Sequence, residues 1–425
     1  MSRLVHVVGA GLSGLAAAVQ LQRRGARVVL HEAAQHAGGR CRSYFDPKLN
    51  ATIDNGNHLV LSGNHATLAY ARAIGAGDEL SGPTQPEYPF SDLKTGARWT
   101  VRLSPGRLPK WVFDPHSRVP GTQPADYLSL AALLWAKPGR TIAQSMRARG
   151  RVWDALVRPL FLAVLNVEPS EGSALVAGNV LRETLLAGGQ ACRPLVAKNG
   201  LGHAFVDPAL RLLQYGGAEI RLGARLAGIG FSGTDAKPRV SSLDFGDGVD
   251  TLAVAPADGV VLAVPPDVAR TLVPDLTAPN EFRAIVNAHF AADPPLGFEP
   301  VTGLLNGTSH WLFAFDGRLS VTISDAGALL DMPREELARM LWREVANVTG
   351  NAAEPLPAWQ IVAEKRATFA AIPSQESLRP ATRTRWPNLM LAGDWTATGL
   401  PATIEGAIRS GQKAADLLMN PSTEQ

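Results

Sequence analysis

Apolar residues fall into short β-branched runs near both ends of this chain, and most of these runs end in glycine. Leu4-Val5-His6-Val7-Val8 predicts a buried strand. It feeds into Gly9-Ala10-Gly11-Leu12-Ser13-Gly14, after which Leu15 to Arg24 is alanine-rich with helical spacing. Gly25 stops that helix, and Ala26 to Glu32 predicts a second strand with an acid at its tip. Phe205 to Tyr215 again has helical spacing, Gly216-Gly217 closes it, and Ala218 to Leu222 predicts a strand. Ala224 to Ile229 and Val240 to Phe245 alternate as antiparallel strands do. Val260 to Pro266 reads as a buried strand ended by prolines. Met332 to Val348 reads as one amphipathic helix, with Pro333 at its start and Gly350 past its end. Trp386 to Leu391 predicts a strand, Gly393-Asp394 a corner, and Ile404 to Met419 a closing helix.

Strand, glycine turn, helix and acid-tipped strand together form a dinucleotide clamp. Gly9 permits the tight turn, Gly11 lets the backbone approach a pyrophosphate, and Gly14 lets helix and strand pack closely. The helix N-terminus brings free N–H groups and positive dipole to the phosphates. Glu32 lies where a carboxylate accepts hydrogen bonds from a ribose. The Gly393-Asp394 corner and the helix start at Thr403–Ile404 form a second ligand-facing corner. A flavin dinucleotide is long enough to need one, whereas an N-capping aspartate is the plainer reading. Ala37-Gly38-Gly39-Arg40 adds paired glycines and an arginine suited to a pyrophosphate. In Asp54-Asn55-Gly56-Asn57-His58 the glycine lets the chain lie against a flat ring.

Composition narrows the class. The chain has 425 residues, 46% of them hydrophobic and 19% charged, which suits a large soluble core. A net charge of +3 is too weak to indicate nucleic acid, yet leaves room for an anionic membrane surface. The two cysteines, Cys41 and Cys192, form no CxxC pair and fit a reduced cytoplasm. We expect no signal peptide and no spanning helix. No HExxH or GxSxG pattern is present, so neither a metal site nor a serine triad is expected.

The motifs at Gly9–Gly14 with Glu32, Gly38-Gly39-Arg40, Val260–Pro266 and Leu391-Ala392-Gly393-Asp394 resemble, in order, those of the flavin amine oxidase and phytoene desaturase superfamily. Asp54 to Leu59, Glu364 to Phe369, Ala392 to Thr396 and Pro401 to Ala407 are similar to the versions found in the hydroxysqualene dehydroxylase family. This resemblance implies an α/β fold: a Rossmann-like FAD-binding domain (1–65, 199–270 and 384–425) interleaved with a mixed α+β substrate-binding domain (66–198 and 271–383). It implies one non-covalent FAD held by Gly9, Gly11, Ser13, Gly14, Glu32, Ala33, Gly39, Arg40, Gly56, Asn57, Leu226, Gly393, Asp394, Thr403 and Ile404. It further implies reductive removal of the allylic hydroxyl of a C30 polyprenyl alcohol to give squalene, with the reductant unspecified. An amine oxidase or a carotenoid desaturase is the rival reading.

Such chemistry needs an acid near the hydroxyl and a dry apolar site. His58 is the first candidate, as that acid or as a polar contact beside the flavin; a turn histidine satisfied by backbone is the plain alternative. Asp54 more naturally caps a turn. His310, Lys365 and Arg366 are weaker candidates. A polyprenyl alcohol resides in the bilayer, so we expect peripheral contact with the inner face of the cytoplasmic membrane. Arg107 to Phe113, and Tyr127 to Ala136 with Lys137 and Arg140, mix basic and apolar residues suited to that contact, although their aromatics also suit a core. The only low-complexity segment is the short end Pro421 to Gln425.

Overall fold

The structure is a computed structural model that describes residues 2–234, 237–246 and 251–420; Pro421–Gln425 lies outside them. Leu4–Val8 is the middle strand of a five-stranded parallel sheet. It pairs with Arg27–Glu32 on one side and Gly259–Leu262 on the other. Glu219–Leu222 and Leu389–Leu391 form the edges. The central strands are nearly all apolar because both faces are covered. Val5, Val7, Val261 and Met390 point to one face, where helices Leu12–Arg23 and Ile404–Met419 pack together through Leu15, Ala18, Ile408 and Ala414. Val8, Val260, Leu262 and Leu391 alternate to the other, against Leu226, Trp386 and Trp395.

Two local expectations are corrected. The strand expected over Ala224 to Ile229 runs instead over Gly228–Ser232, pairing antiparallel with Arg239–Asp244. Before it, Ala224 N–H is held by Glu32 O (2.8 Å), which keeps residues 224–226 out of the ladder that Ala227 N–H joins at Asp244 O (2.7 Å). Pro265 and Pro266 do more than end a strand. They stand at the N-cap and first position of helix Pro266–Leu272, where a fixed φ suits the helix and a missing N–H costs nothing.

A second sheet has seven strands, in the order Trp359–Phe369, Phe282–Phe290, Arg318–Ile323, Trp311–Phe315, Val301–Leu305, Glu87–Asp92, Arg98–Arg102. Its pleat separates two environments. Val286, Ala288, Phe290, Leu319, Val321 and Ile323 face helix Arg334–Thr349, packing on Leu337, Leu341 and Val345. Each buried Val, Leu, Ile or Phe among them contributes about 1.5–3 kcal/mol. That helix ends at Gly350, which takes the left-handed φ of 79°. The opposite face carries Asn287, His289, Arg318, Ser320 and Thr322. By register, Trp311, Phe313 and Phe315 stand opposite Thr322, Ser320 and Arg318 on that same face. Trp311 and Phe313 join a core with Phe161, Leu165, Ala370 and Ala371.

Residues 104–190 are mostly short turns and helices. Trp111 is 6% exposed and meets Tyr127 edge-on at 5.1 Å, so it belongs to the core rather than to a membrane-facing patch. Leu108, Phe113, Leu128, Trp135 and Leu186 remain exposed. Among the described residues no helix is long and apolar enough to cross a membrane.

Candidate functional site

The glycine turn sits at the carboxyl end of the central strand. Gly9 N–H donates to His31 O (2.7 Å), Gly38 N–H donates to Ala10 O (2.8 Å), and the two glycine segments are thereby stitched together. Helix Leu12–Arg23 starts at Gly11 with no side-chain cap and no acid in its first turn, so its leading N–H groups are left for an outside acceptor. Ser13 Oγ is buried without a partner, and a Cβ on Gly11 would project into open space. An uncapped, positive, glycine-lined recess with an orphaned hydroxyl fits the diphosphate of a dinucleotide. Glu32 already accepts from Ala10 N–H (2.7 Å) and Ala34 N–H (2.8 Å). It therefore braces the turn against the second strand.

The second corner meets the first through Arg40. Arg40 Nη2 pairs with Asp394 Oδ2 at 2.7 Å, and Nη1 donates to Ala367 O at 2.7 Å. Asp394 is nearly buried, and its carboxylate holds the Arg40 guanidinium above its ordinary pKa. Gly393 N–H donates to Ser410 Oγ (3.0 Å), which locks the corner to the last helix. Thr403 is the N-cap of that helix, accepting from Gly406 N–H at 3.1 Å, and Ile404 begins it. The neighbouring Glu405 accepts from Thr67 N–H (2.8 Å) and so caps the helix His65–Ala73.

Gly56 and Asn57 lie between this corner and the second sheet. Asn57 Nδ2 donates to Ser320 Oγ (2.9 Å) and Thr322 Oγ1 (3.1 Å). Ser320 Oγ lies 2.6 Å from His289 Nδ1, and Arg318 Nη1 lies 3.0 Å from the same nitrogen. Burial pushes the His289 pKa down to about 3. A polar strip thus reaches from Asn57 to Arg318, with the Trp311–Phe313 wall beside it. His58 Nδ1 lies 2.8 Å from Gly56 O, the contact of a turn histidine. Burial lowers its pKa, and Gly56 and Asp54 only partly oppose this. The ring is neutral at neutral pH, so Nδ1–H donates to Gly56 and Nε2 offers a lone pair rather than a proton.

Other expected residues lie apart from this meeting point. Leu226 is buried beneath the sheet with Val8 and Leu262. Asp54 Oδ1 accepts from Ser43 Oγ (2.5 Å) and Leu201 N–H (2.8 Å), the capping role. His310 Nδ1 accepts from Ser324 N–H (3.1 Å), and burial lowers its pKa to about 4. Lys365 is exposed, and Arg366 pairs with Asp267 at 2.8 Å. Burial pushes the Cys41 thiol up to about 12, so it stays protonated beside Arg40. Arg379 was not anticipated. Its buried guanidinium donates to Asp394 O (2.9 Å), Thr396 O (2.6 Å) and Thr398 Oγ1 (2.7 Å), fixing the second corner's backbone. Nothing local to Leu378-Arg379-Pro380 signals it. The strip residues Asn287, His289, Ser320 and Thr322 were also missed, although the two-residue alternation in Phe282–Phe290 and Arg318–Ile323 carries the signal.

With this geometry in place, comparison with known proteins is informative. The family described as flavin containing amine oxidoreductase matches residues 12–419. A hydroxysqualene dehydroxylase of Sinorhizobium fredii is 55% identical over 99% of both chains. Another, of Rhodopseudomonas palustris, is 54% identical over the same share of each. The solved structure of cyclohexylamine oxidase from Brevibacterium oxydans superposes with a TM-score of 0.72, covering 100% of both chains at 18% identity, a likeness of fold.

Proposed function

This chain belongs to the flavin containing amine oxidoreductase family, and within it to the hydroxysqualene dehydroxylases; on that premise we propose that it removes the allylic hydroxyl of hydroxysqualene reductively to give squalene. It is an FAD-dependent oxidoreductase. The observation that carries the substrate is identity above 50% along nearly the whole length of two hydroxysqualene dehydroxylases. The amine oxidase reading has only 18% identity and a shared fold behind it.

Reduced FAD, when bound, supplies the hydride. The chain's own groups do the rest. The Gly9–Gly14 recess with Ser13 holds the diphosphate, and Glu32 with Ala33 faces the ribose. Arg40 and Gly39 close over the phosphates, with Asp394 keeping the guanidinium in place. Thr403 and Ile404 would present backbone N–H groups to the far end of the cofactor, with Gly393, its N–H held by Ser410 Oγ, shaping the corner beside them. Gly56 and Asn57 lie at the ring, and Leu226 supports the sheet below. Of the roles read for His58, a neutral polar contact fits its geometry; the acid role requires a protonated ring that burial disfavours. The aromatic wall of Trp311 and Phe313 beside a narrow polar strip suits a long hydrocarbon with one oxygen, and excludes water from the reacting carbon. The same residue ranges read from sequence, 1–65, 199–270 and 384–425 against 66–198 and 271–383, are proposed as the cofactor and substrate domains.

The substrate's source is proposed to be the inner face of the cytoplasmic membrane. Exposed Leu108, Phe113, Leu128 and Trp135 share one insert with exposed Arg107, Lys110, Lys137 and Arg140. Apolar side chains enter the interface while basic ones meet anionic head groups at about 1 kcal/mol each. The reaction is tested by supplying purified enzyme with reductant and hydroxysqualene and following products by chromatography. Squalene formation is expected. Amine-dependent peroxide, or reduction of the oxidised enzyme by phytoene, without squalene, would move the assignment to the rival classes.

A further inference from the structure

The strand Phe282–Phe290 places Asn287 on the polar face of the second sheet, 1% exposed and pressed against the Gly56–Asn57 turn. Its carbonyl is fully engaged. Asn287 Oδ1 accepts from Thr322 Oγ1 (2.7 Å), from Asn57 N–H (3.3 Å) and from Asn57 Nδ2 (3.4 Å). A backbone N–H only donates, so the atom facing it is the oxygen and the amide cannot be turned over. The other end of the amide is therefore aimed in one direction. Asn287 Nδ2 is buried and has no partner. It stands 3.1 Å from the position a Cβ on Gly56 would occupy, and His58 lies 3.7 Å from the same position.

A buried donor held in place by three bonds at its other end, and left without an acceptor, is costly in the empty protein. The cost is removed if a ligand brings an acceptor to that spot. The missing side chain of Gly56 is what lets the amide come this close to the turn. We propose that Asn287 Nδ2 donates a hydrogen bond to an acceptor atom on the isoalloxazine ring of FAD, making Asn287 a cofactor-contacting residue that sets the flavin's reduction potential. The inference rests on the reading of Gly56 and Asn57 as the ring-facing turn. Reduction enriches the ring's acceptors in electron density. A fixed donor then favours the reduced form and raises the potential. Thr322, whose hydroxyl donates to the amide oxygen, acts behind Asn287 as a positioning residue, and Asn57 holds the same oxygen from the ring-facing turn.

The test compares wild type with Asn287→Asp and Asn287→Leu. The aspartate is isosteric and keeps the oxygen that Thr322 and Asn57 bond, while replacing the donor by an acceptor. The leucine removes both. Circular dichroism of the apoproteins reports the fold, flavin fluorescence the FAD dissociation constant, and dye equilibration the midpoint potential. Both variants are expected to fold, to bind FAD about fivefold to tenfold more weakly, and to show a more negative midpoint potential, with Asn287→Asp the more negative. Folded variants with wild-type affinity and potential would overturn the proposal. So would unchanged flavin properties with a raised KM for hydroxysqualene, which would give the donor to the substrate. A wild-type protein that binds no FAD would overturn the cofactor reading as well, so the two failures are distinguishable.

Discussion

A methyl group at Gly11 and one at Gly14 meet opposite surroundings, although the two glycines belong to one turn. At Gly14 a Cβ would overlap Gly9 O, inside the contact that joins helix to strand. At Gly11 the backbone is extended (φ −71°, ψ 175°), any residue can adopt it, and a Cβ meets nothing within 4 Å. Gly14→Ala is expected to give little soluble protein, since overpacking without room to relax costs 1–3 kcal/mol or more, roughly. Gly11→Ala is expected to keep the apoprotein's melting temperature within a few degrees while weakening FAD by about tenfold or more. Melting curves of the apoprotein together with flavin titration check both. A Gly11→Ala protein with wild-type FAD affinity would remove the diphosphate from this recess. At this scale Gly9, Gly14, Glu32 and Arg40 were legible because their spacing is local. Asn287 was not, because its partner Asn57 lies 230 positions away, and Arg379 was not, because no glycine turn or periodic pattern marks it.

Among the elements, the insert over 104–190 shows how far pattern reading carries. Its mixture of aromatic and basic residues was visible, but which aromatic faces inward is decided by packing. Trp111 turns in onto Tyr127, and Phe113, two residues on, is 70% exposed. Trp135 closes the apolar run Pro124–Trp135 and is 76% exposed. The variant that tests membrane contact is therefore Phe113→Ser/Trp135→Ser, which leaves the Trp111 core whole. Wild type is expected to sediment with phosphatidylglycerol-containing vesicles more than with neutral ones, and the double variant with neither. Equal sedimentation of both proteins would sink the patch. The regular elements were easier to read. Parallel strands buried on both faces announce themselves as apolar runs, and helix Arg334–Thr349 is bracketed by Pro333 and Gly350. The shift of one strand to Gly228–Ser232 was not readable, because it follows from a hydrogen bond to Glu32 O made across the sheet edge.

The whole molecule buries several histidines in neutral form, and this sets its response to acid. Burial holds His31 and His289 down to about 3 and His310 to about 4. Unfolded, each titrates near 6.5, so between pH 6.5 and 4 the unfolded chain binds more protons than the folded one. Their contribution is intact above pH 6.5 and is lost as pH falls, at up to about 1.4 kcal/mol per group per pH unit. The urea midpoint of the apoprotein is expected to fall steeply from pH 6.5 to 5 and to change little from these groups between pH 7 and 8. A midpoint flat from pH 7 to 5 would contradict the neutral burial of these rings. The two largest sheets bring the Arg40–Asp394 corner, the Gly56 turn and the polar strip with its aromatic wall to one place. Whether that place performs the reductive reaction is settled most directly by mixing fully reduced enzyme with hydroxysqualene without oxygen. The account predicts that the absorbance of oxidised flavin returns and that one squalene appears for each flavin reoxidised. Flavin that stays reduced in the presence of saturating hydroxysqualene would contradict it.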